Sequence, residues 1–417
     1  MNHVKNACLS LLLILCLCGC ETPVCLQTAE PSVAAQPEGT KPAAQASQDP
    51  VSISSTLLVA GDAMCHMPQT YDALACGDGK TYDYTACMQY VKPWIESADF
   101  SVCNLETVFR KDKACSGFPN FNTPSSFGAA LKDAGFDMVT TANNHCMDQG
   151  YTGLCDTLDS LDEMGLLHIG TYRTQEEFDA HMGTVMANVG GISVAFLDYT
   201  YGTNAIPVST GRSFSVNLFN TDYLTTLSEP DYDKLIRELE YAKSLKPDLI
   251  AVMIHWGTEY KTKENSYQDK LSDFLIAHGA DLVLGGHSHV PQPMEYRRVT
   301  LEDGTAKTGF VCFSLGNFVS AQNWDCADIT ALLQLTLTKD CTSGKASLTK
   351  VSYVPCLVIN RENDKSPRFL ILDAYRAMEE YKEGKNEYLT AGIYERLLEA
   401  VKSCSQIFGE TFDCKLQ

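Results

Sequence analysis

From Thr56 onward the chain alternates short apolar runs with stretches whose apolar positions recur at helical spacing. The runs are TLLVAGD, FSVCNLE, DMVTTANNH, ISVAFLDY, DLIAVMIHW, DLVLGGH and FVCFSLGN. Each is hydrophobic almost throughout, which predicts strands buried on both faces of a sheet. Between several of them lie SSFGAALKDAG (residues 125–135) and LCDTLDSLDEMG (154–165), whose spacing predicts amphipathic helices. Strand-helix-strand repetition predicts an α/β architecture. After Asn317 the pattern changes: ITALLQLTLT and KASLTKVSYVPCLV alternate apolar and polar positions and predict an antiparallel pair. The tail from Asp373 to Thr411 contains AYRAMEEYKEG and YERLLEAVKSC, which predict helices packed on the outside. The expected bounds are a main domain over 56–358 and a C-terminal helical extension over 359–417.

The first residues follow a different pattern. Lys5 precedes LSLLLILCL, an apolar stretch too short to span a bilayer comfortably, so residues 1–19 read as a secretory signal. The stretch ends in Leu17-Cys18-Gly19-Cys20, which resembles the bacterial lipobox and implies a diacylated Cys20 as the first mature residue. Two acyl chains anchor stably. The expected location is therefore the extracytoplasmic face of the cell membrane. Residues 20–55 are rich in Pro, Ala, Ser and Gln, with too little apolar surface to offset ordering, and predict a disordered tether.

Composition narrows the partners. At 417 residues and 45% hydrophobic content the chain can bury a large core, and its formal charge of −20 opposes binding to nucleic acid. Cys8, Cys16 and Cys18 fall in the signal and Cys20 at its end, which leaves an even number of the eighteen cysteines. In an oxidising compartment that number permits a disulfide framework.

Polar residues concentrate where the apolar runs end. Asp62 and His66 lie in GDAMCH, Asn104 and Glu106 in NLE, and Asn143, Asn144, His145 and Asp148 in ANNHCMD. A later run ends in His255 with Glu259 four residues on, and the last ends in Gly285-Gly286-His287-Ser288-His289. Open α/β sheets gather ligands at the carboxyl ends of their strands, so these residues should converge. Paired glycines allow close backbone approach, and histidines one residue apart face the same way on an extended chain. Imidazole, carboxylate and amide oxygen without thiolate suit Mn, Fe(II), Zn or Mg. Cys65 beside them reads as an inert buried thiol. Trp256 and Tyr260 read as core or as a stacking wall.

The ordered set GD, NLE, ANNH..D.G, HWG.EY, G.H.H..Q and SLGNF resembles the CapA/PgsA family of poly-γ-glutamate capsule biosynthesis proteins, which looks like a branch of the calcineurin-like metallophosphoesterases. The resemblance covers roughly residues 56–325. It implies a metallophosphoesterase-like sandwich of two mixed β-sheets flanked by helices, with two divalent metal ions. By position, Asp62, His66, Glu106 and His289 would serve one ion, and Glu106, Asn144, His255 and His287 the other. His145 would contact the substrate with Asp148 orienting it, and Asn104, Glu259 and Asn317 would line the substrate pocket. Two departures stand out: Met64 occupies a position usually held by histidine, with His66 the nearest alternative, and Glu106 replaces a bridging aspartate.

Three roles fit this reading. The first is a membrane-anchored protein of capsule synthesis that makes, exports or processes poly-γ-glutamate or a related envelope polymer, with a membrane-bound synthase as a partner. The second is a metal-dependent phosphoesterase acting on an extracellular phosphodiester or nucleotide. The third is a non-catalytic scaffold that binds an anionic polymer or envelope precursor.

Overall fold

Among the described residues, fifteen strands form two mixed sheets that pack face to face. The computed structural model describes residues 51–322, 324–361 and 365–409, and the backbone of 412–413. The signal segment, Cys20 and nearly all of the tether lie outside the described residues. Strands β1 (Ser52–Ala63), β2 (Phe100–Leu105), β3 (Met138–Thr140) and β4 (Leu167–Ile169) begin the first sheet. The second sheet contains β5 (Val185–Val189), β6 (Ile192–Thr200), β7 (Leu249–His255), β8 (Leu282–Gly286), β9 (Pro291–Thr300) and β10 (Ala306–Leu315). The chain then returns to the first with β11 (Asn317–Val319), β12 (Ile329–Asp340), β13 (Ala346–Asn360), β14 (Phe369–Asp373) and β15 (Phe412–Asp413). The first sheet runs β14-β13-β12-β1-β2-β3-β4, with β11 also on β1 and β15 on β13; the second runs β5-β6-β7-β8-β10-β9.

The hydrophobic runs are continuous because each strand feeds two cores. In β1, Leu57 and Val59 enter the layer between the sheets, where they join Phe196, Met253 and Leu284 of the second sheet. Leu58 and Ala60 point the other way, into a cluster with Phe127, Leu131, Leu158 and Leu161 of the helices Ser126–Asp133 and Gly150–Met164. The second sheet repeats the arrangement. Leu249, Ala251 and Met253 face the shared layer, while Ile250, Val252 and Ile254 meet Leu235, Leu239 and Leu271 of the helices Tyr232–Ser244 and Ser266–Ala277. A period of two with both faces apolar is the expected pattern for sheets covered on each side. Each fully buried Leu or Phe contributes about 1.5–3 kcal/mol relative to exposure.

The predicted antiparallel pair is present: β12 and β13 run from Ile329 opposite Leu357 to Lys339 opposite Ala346. Two bounds differ from the pattern reading. The first strand starts at Ser52, and the C-terminal segment contributes β14 to the sheet before its helices Ala374–Lys382 and Ala391–Phe408. The last helix is not merely external, since Leu397, Ala400, Cys404 and Phe408 join the layer that holds Leu333 and Val351. Every described cysteine is a free thiol, so no disulfide framework exists among the described residues. No helix among them is long and apolar enough to cross a membrane.

Candidate metal centre

Sheet register brings the strand-end residues into rank. Asp62 stands opposite Asn104 across β1 and β2 and opposite Asn317 across β1 and β11, and His255 stands opposite Gly286 across β7 and β8. The carboxyl ends of both sheets' central strands therefore open onto one pocket. The histidine pair reaches it differently from the expectation. His287 and His289 are not on extended backbone but have φ of 90° and 59°. A left-handed turn, rather than strand alternation, aims both rings at the pocket. Close approach explains the preceding glycine, because a Cβ on Gly286 would lie 2.6 Å from the Asp62 carboxylate.

Two overlapping donor groups result. Glu106, His255 and His287 form one, and Asp62, Glu106 and His289 form the other; within each, one ligand atom per residue lies within 4.8 Å of the rest. His255 Nε2 is 3.6 Å from Glu106 Oε1 and 2.8 Å from Asn144 Oδ1, which adds an amide oxygen to the first group. His289 places Nδ1 3.8 Å from Asp62 Oδ2 and Nε2 4.0 Å from Glu106 Oε1. Asp62 itself accepts from Asn104 Nδ2 at 2.8 Å and from the His287 backbone amide at 2.9 Å.

Burial sets the protonation of this cluster. It lifts the Asp62 carboxyl to about 7, assisted by the Glu106 charge, and lifts Glu106 to about 8. It pulls His255 down to about 4 and His289 to about 3, and holds His287 well below the usual imidazole range. Both Glu106 oxygens and His287 Nδ1 are buried with no hydrogen-bond partner among the described residues. Leaving such a group unpaired costs about 1–3 kcal/mol. Orphaned buried atoms on Glu106 and His287, residues with a ligand atom each within 4.8 Å of the other, fit a divalent cation, which favours ionised carboxylates and neutral imidazoles. With no thiolate in the set, the donors suit borderline or hard ions.

The remaining candidates divide. His145 Nδ1 lies 2.7 Å from Asp148 Oδ2. Burial lowers the His145 imidazole, but the Asp148 hydrogen bond and charge outweigh it and hold the group above its usual range. His66 stands outside the donor groups. It precedes the helix Met67–Cys76, its Nδ1 lies 3.3 Å from Gln69 Oε1, and its ring packs edge-on against Phe121, whose other contact is His145. Asn104 and Asn317 are buried, and Asn104 borders the small cavity beside Asp62, His255 and Gly286. Asn104 serves Asp62, while Asn317 Oδ1 sits 3.0 Å from His289 Nδ1. Glu259 alone of the three expected pocket residues is exposed. Trp256 is core, stacked on Phe313 and donating to its carbonyl. Cys65 is sealed beside Thr70 and Tyr84, and burial pushes its thiol up to about 11.

Pattern reading passed over three residues that shape the site. Asp198, inside the run ISVAFLDY, is fully buried and accepts from the Thr141 and Ala142 amides at 3.1 and 2.9 Å, holding the turn that carries Asn144 and His145. An acid within an apolar strand was the available signal. Asn204 accepts from Asn144 Nδ2 at 3.1 Å, and the Tyr201 ring lies 4.6 Å from that of His287. Both follow β6 in a segment with no distinguishing pattern.

The family model described as bacterial capsule synthesis protein PGA_cap matches residues 56–322. The capsule biosynthesis protein CapA of Bacillus anthracis is 31% identical over 254 residues, 60% of this chain and 57% of that protein. The PGA biosynthesis protein CapA of Bacillus subtilis (strain 168) is 30% identical over 266 residues, covering 63% and 64% of the two chains. The chain thus spans less than two thirds of the length of these relatives. Among solved structures, a phosphatase from Mycoplasma pneumoniae overlaps 73% of this chain and 94% of its own, with a TM-score of 0.37 and 14% identity. The protein TT1561 of Thermus thermophilus overlaps 72% and 98%, with a TM-score of 0.31 and 9% identity. Overlap at that level says nothing about chemistry.

Proposed function

The chain belongs to the family of bacterial capsule synthesis proteins, and from that membership we propose that it serves capsule synthesis at the extracytoplasmic face of the membrane, anchored by lipid on Cys20, and processes an anionic envelope polymer or its precursor at a binuclear metal centre. Poly-γ-glutamate is the polymer named by the family resemblance. A membrane-bound synthase is the partner such a role calls for.

The observation that carries the reading is the pair of donor groups sharing Glu106, with both its oxygens lacking a hydrogen-bond partner among the described residues. Asp62, Glu106 and His289 would hold one ion, and Glu106, Asn144, His255 and His287 the other. Divalent ions there would supply Lewis-acid polarisation of a substrate oxygen. The protein's own contribution is orientation: Asn317 fixes the His289 ring, and Asn104 fixes Asp62. His145, with its proton held by Asp148, would serve as a proton donor to a leaving oxygen or nitrogen. An acidic protein repels a polyanion, and bound cations at the pocket offset that repulsion locally.

The same histidine–aspartate pair favours a second reading, a metal-dependent phosphoesterase acting on an extracellular phosphodiester or nucleotide. Elemental analysis of the full chain purified without chelator, beside His287→Ala, tests the common premise. Close to two divalent ions per chain, falling sharply in the variant, is the expected result; turnover of phosphodiester or γ-glutamyl substrates then separates the two readings. A folded wild-type protein without metal would overturn both and leave a polymer-binding scaffold.

A further inference from the structure

Glu259 lies outside both inner donor groups yet forms a third with His287 and His289, one ligand atom from each lying within 4.8 Å of the others. Unlike Asp62 and Glu106, which are sealed at 0% exposure, Glu259 is open to solvent. Its position is built rather than incidental. The Tyr260 amide donates to the Ser288 carbonyl at 2.8 Å, clamping the loop after β7 onto the turn after β8. Tyr260, His287 and His289 all have positive φ, at 60°, 90° and 59°. Three non-glycine residues in the left-handed region are strained, and persist only where surrounding contacts impose them. His287 Nδ1 is buried without a hydrogen-bond partner among the described residues, and His287 belongs to both this group and the one with Glu106 and His255.

We propose that Glu259, His287 and His289 form an outer divalent-cation position at the mouth of the pocket, through which ions pass to the buried donors. His287 also belongs with Glu106 and His255, and His289 with Asp62 and Glu106, so the outer and inner positions draw on the same imidazoles. They fill in alternation. An arriving hydrated ion meets an exposed carboxylate and two imidazoles first, then moves inward by exchanging Glu259 for Glu106. The exchange removes the need to shed most of the hydration shell in one step before reaching the sealed acids. The ligand class is a borderline divalent ion that accepts mixed imidazole and carboxylate donors.

This inference rests on the metal-centre reading above, and one experiment separates their failures. Co2+ uptake by the metal-free full chain, and its release to excess chelator, are followed by stopped-flow visible absorbance in wild type, Glu259→Gln and Glu259→Asp. A seat on the path speeds both directions equally. Glu259→Gln is therefore expected to slow uptake and release together by at least about tenfold, with the dissociation constant within about threefold of wild type. Glu259→Asp, keeping the charge on a shorter stem, should fall between. Unchanged rates in Glu259→Gln would overturn the entry position while leaving the inner site intact. Weaker affinity with unchanged or faster release would also overturn it, making Glu259 a permanent ligand. Failure of the wild-type protein to bind Co2+ would overturn the metal-centre reading and this inference with it.

Discussion

Asp62 and His287 are 225 residues apart, yet the Asp62 carboxylate accepts a 2.9 Å hydrogen bond from the His287 backbone amide. Asp62 ends a strand of the first sheet, and His287 follows a strand of the second. The bond therefore fixes the spacing between the sheets at the point where the donors meet. It also couples a ligand's position to backbone geometry one residue away.

Gly286→Ala tests that coupling. The added Cβ would lie 2.6 Å from Asp62 Oδ1, the oxygen that receives Asn104. At that distance the side chain must give way, so the carboxylate turns from its place against Asn104. Divalent-ion affinity by calorimetry is expected to fall by at least about tenfold, with the far-ultraviolet circular dichroism spectrum unchanged. Wild-type affinity in this variant would show that Asp62 placement does not govern the site.

Glu106→Gln should act in opposite directions on the metal-free and metal-loaded protein. Glu106 makes no hydrogen bond that the amide would lose, and burial lifts its carboxyl from 4.5 to about 8. A raised folded-state value means that ionisation destabilises the fold as pH climbs from about 5 to about 8. The metal-free variant should therefore melt above wild type at pH 8, and the two should converge toward pH 5. Added metal should stabilise wild type and leave the variant nearly unchanged. A variant that melts below wild type at pH 8 would contradict the burial argument.

Much of this candidate site was visible in the residue pattern because its potential donors interrupt otherwise apolar strands. Asp62, Glu106, His255, His287 and His289 each follow a run whose burial on both faces was predictable from composition. What the pattern could not decide is the direction a polar side chain turns. Asn104 and Asn317 have the same chemistry whether they line a pocket or support a neighbour, and only their partners across β1, β2 and β11 settle the matter. His66 was drawn away by Gln69, three residues on, in a reciprocal cap of the following helix. Strand β14 was hidden because FLILD is only five residues long and runs directly into a helical pattern, although it pairs back on β13 just before it.

The pH dependence of metal binding should come from the acids. His255 and His289, at about 4 and 3, are already neutral above pH 5, whereas Asp62 and Glu106, at about 7 and 8, still hold protons at pH 6. Cation binding must displace those protons, so affinity should rise from pH 6 to pH 8. Calorimetry at pH 6.5 in buffers of different ionisation enthalpy should detect net proton release. Glu106→Gln should reduce that release, whereas His255→Ala and His289→Ala should not. Release that survives in Glu106→Gln but vanishes in His289→Ala would reverse the assignment.

Asp148→Asn should lower the His145 pKa. The 2.7 Å contact with Asp148 holds the His145 imidazole above its usual range against the opposing effect of burial. With the charge removed, burial dominates and the proton leaves at lower pH. Imidazole NMR titration should show the downward shift, and any activity that depends on protonated His145 should lose its high-pH range. An unshifted titration would remove Asp148 from the role of positioning and charging partner.

Asn204 supplies the last test, because it sets which end of the Asn144 amide faces the donors. Asn204 Oδ1 receives Asn144 Nδ2 at 3.1 Å, which leaves Asn144 Oδ1 2.8 Å from His255 Nε2. Asn204→Ala removes the acceptor and frees the amide to present its NH2 group, which cannot ligate a cation. Divalent-ion affinity should fall by about 10-fold or more. Asn204→Asp keeps an oxygen in place and should restore it, with the Asn144 side-chain amide resonances retaining their wild-type protection from exchange. Equal affinity in the alanine and aspartate variants would show that the Asn144 orientation is set elsewhere, with Asp198 and the turn it holds as the next place to look.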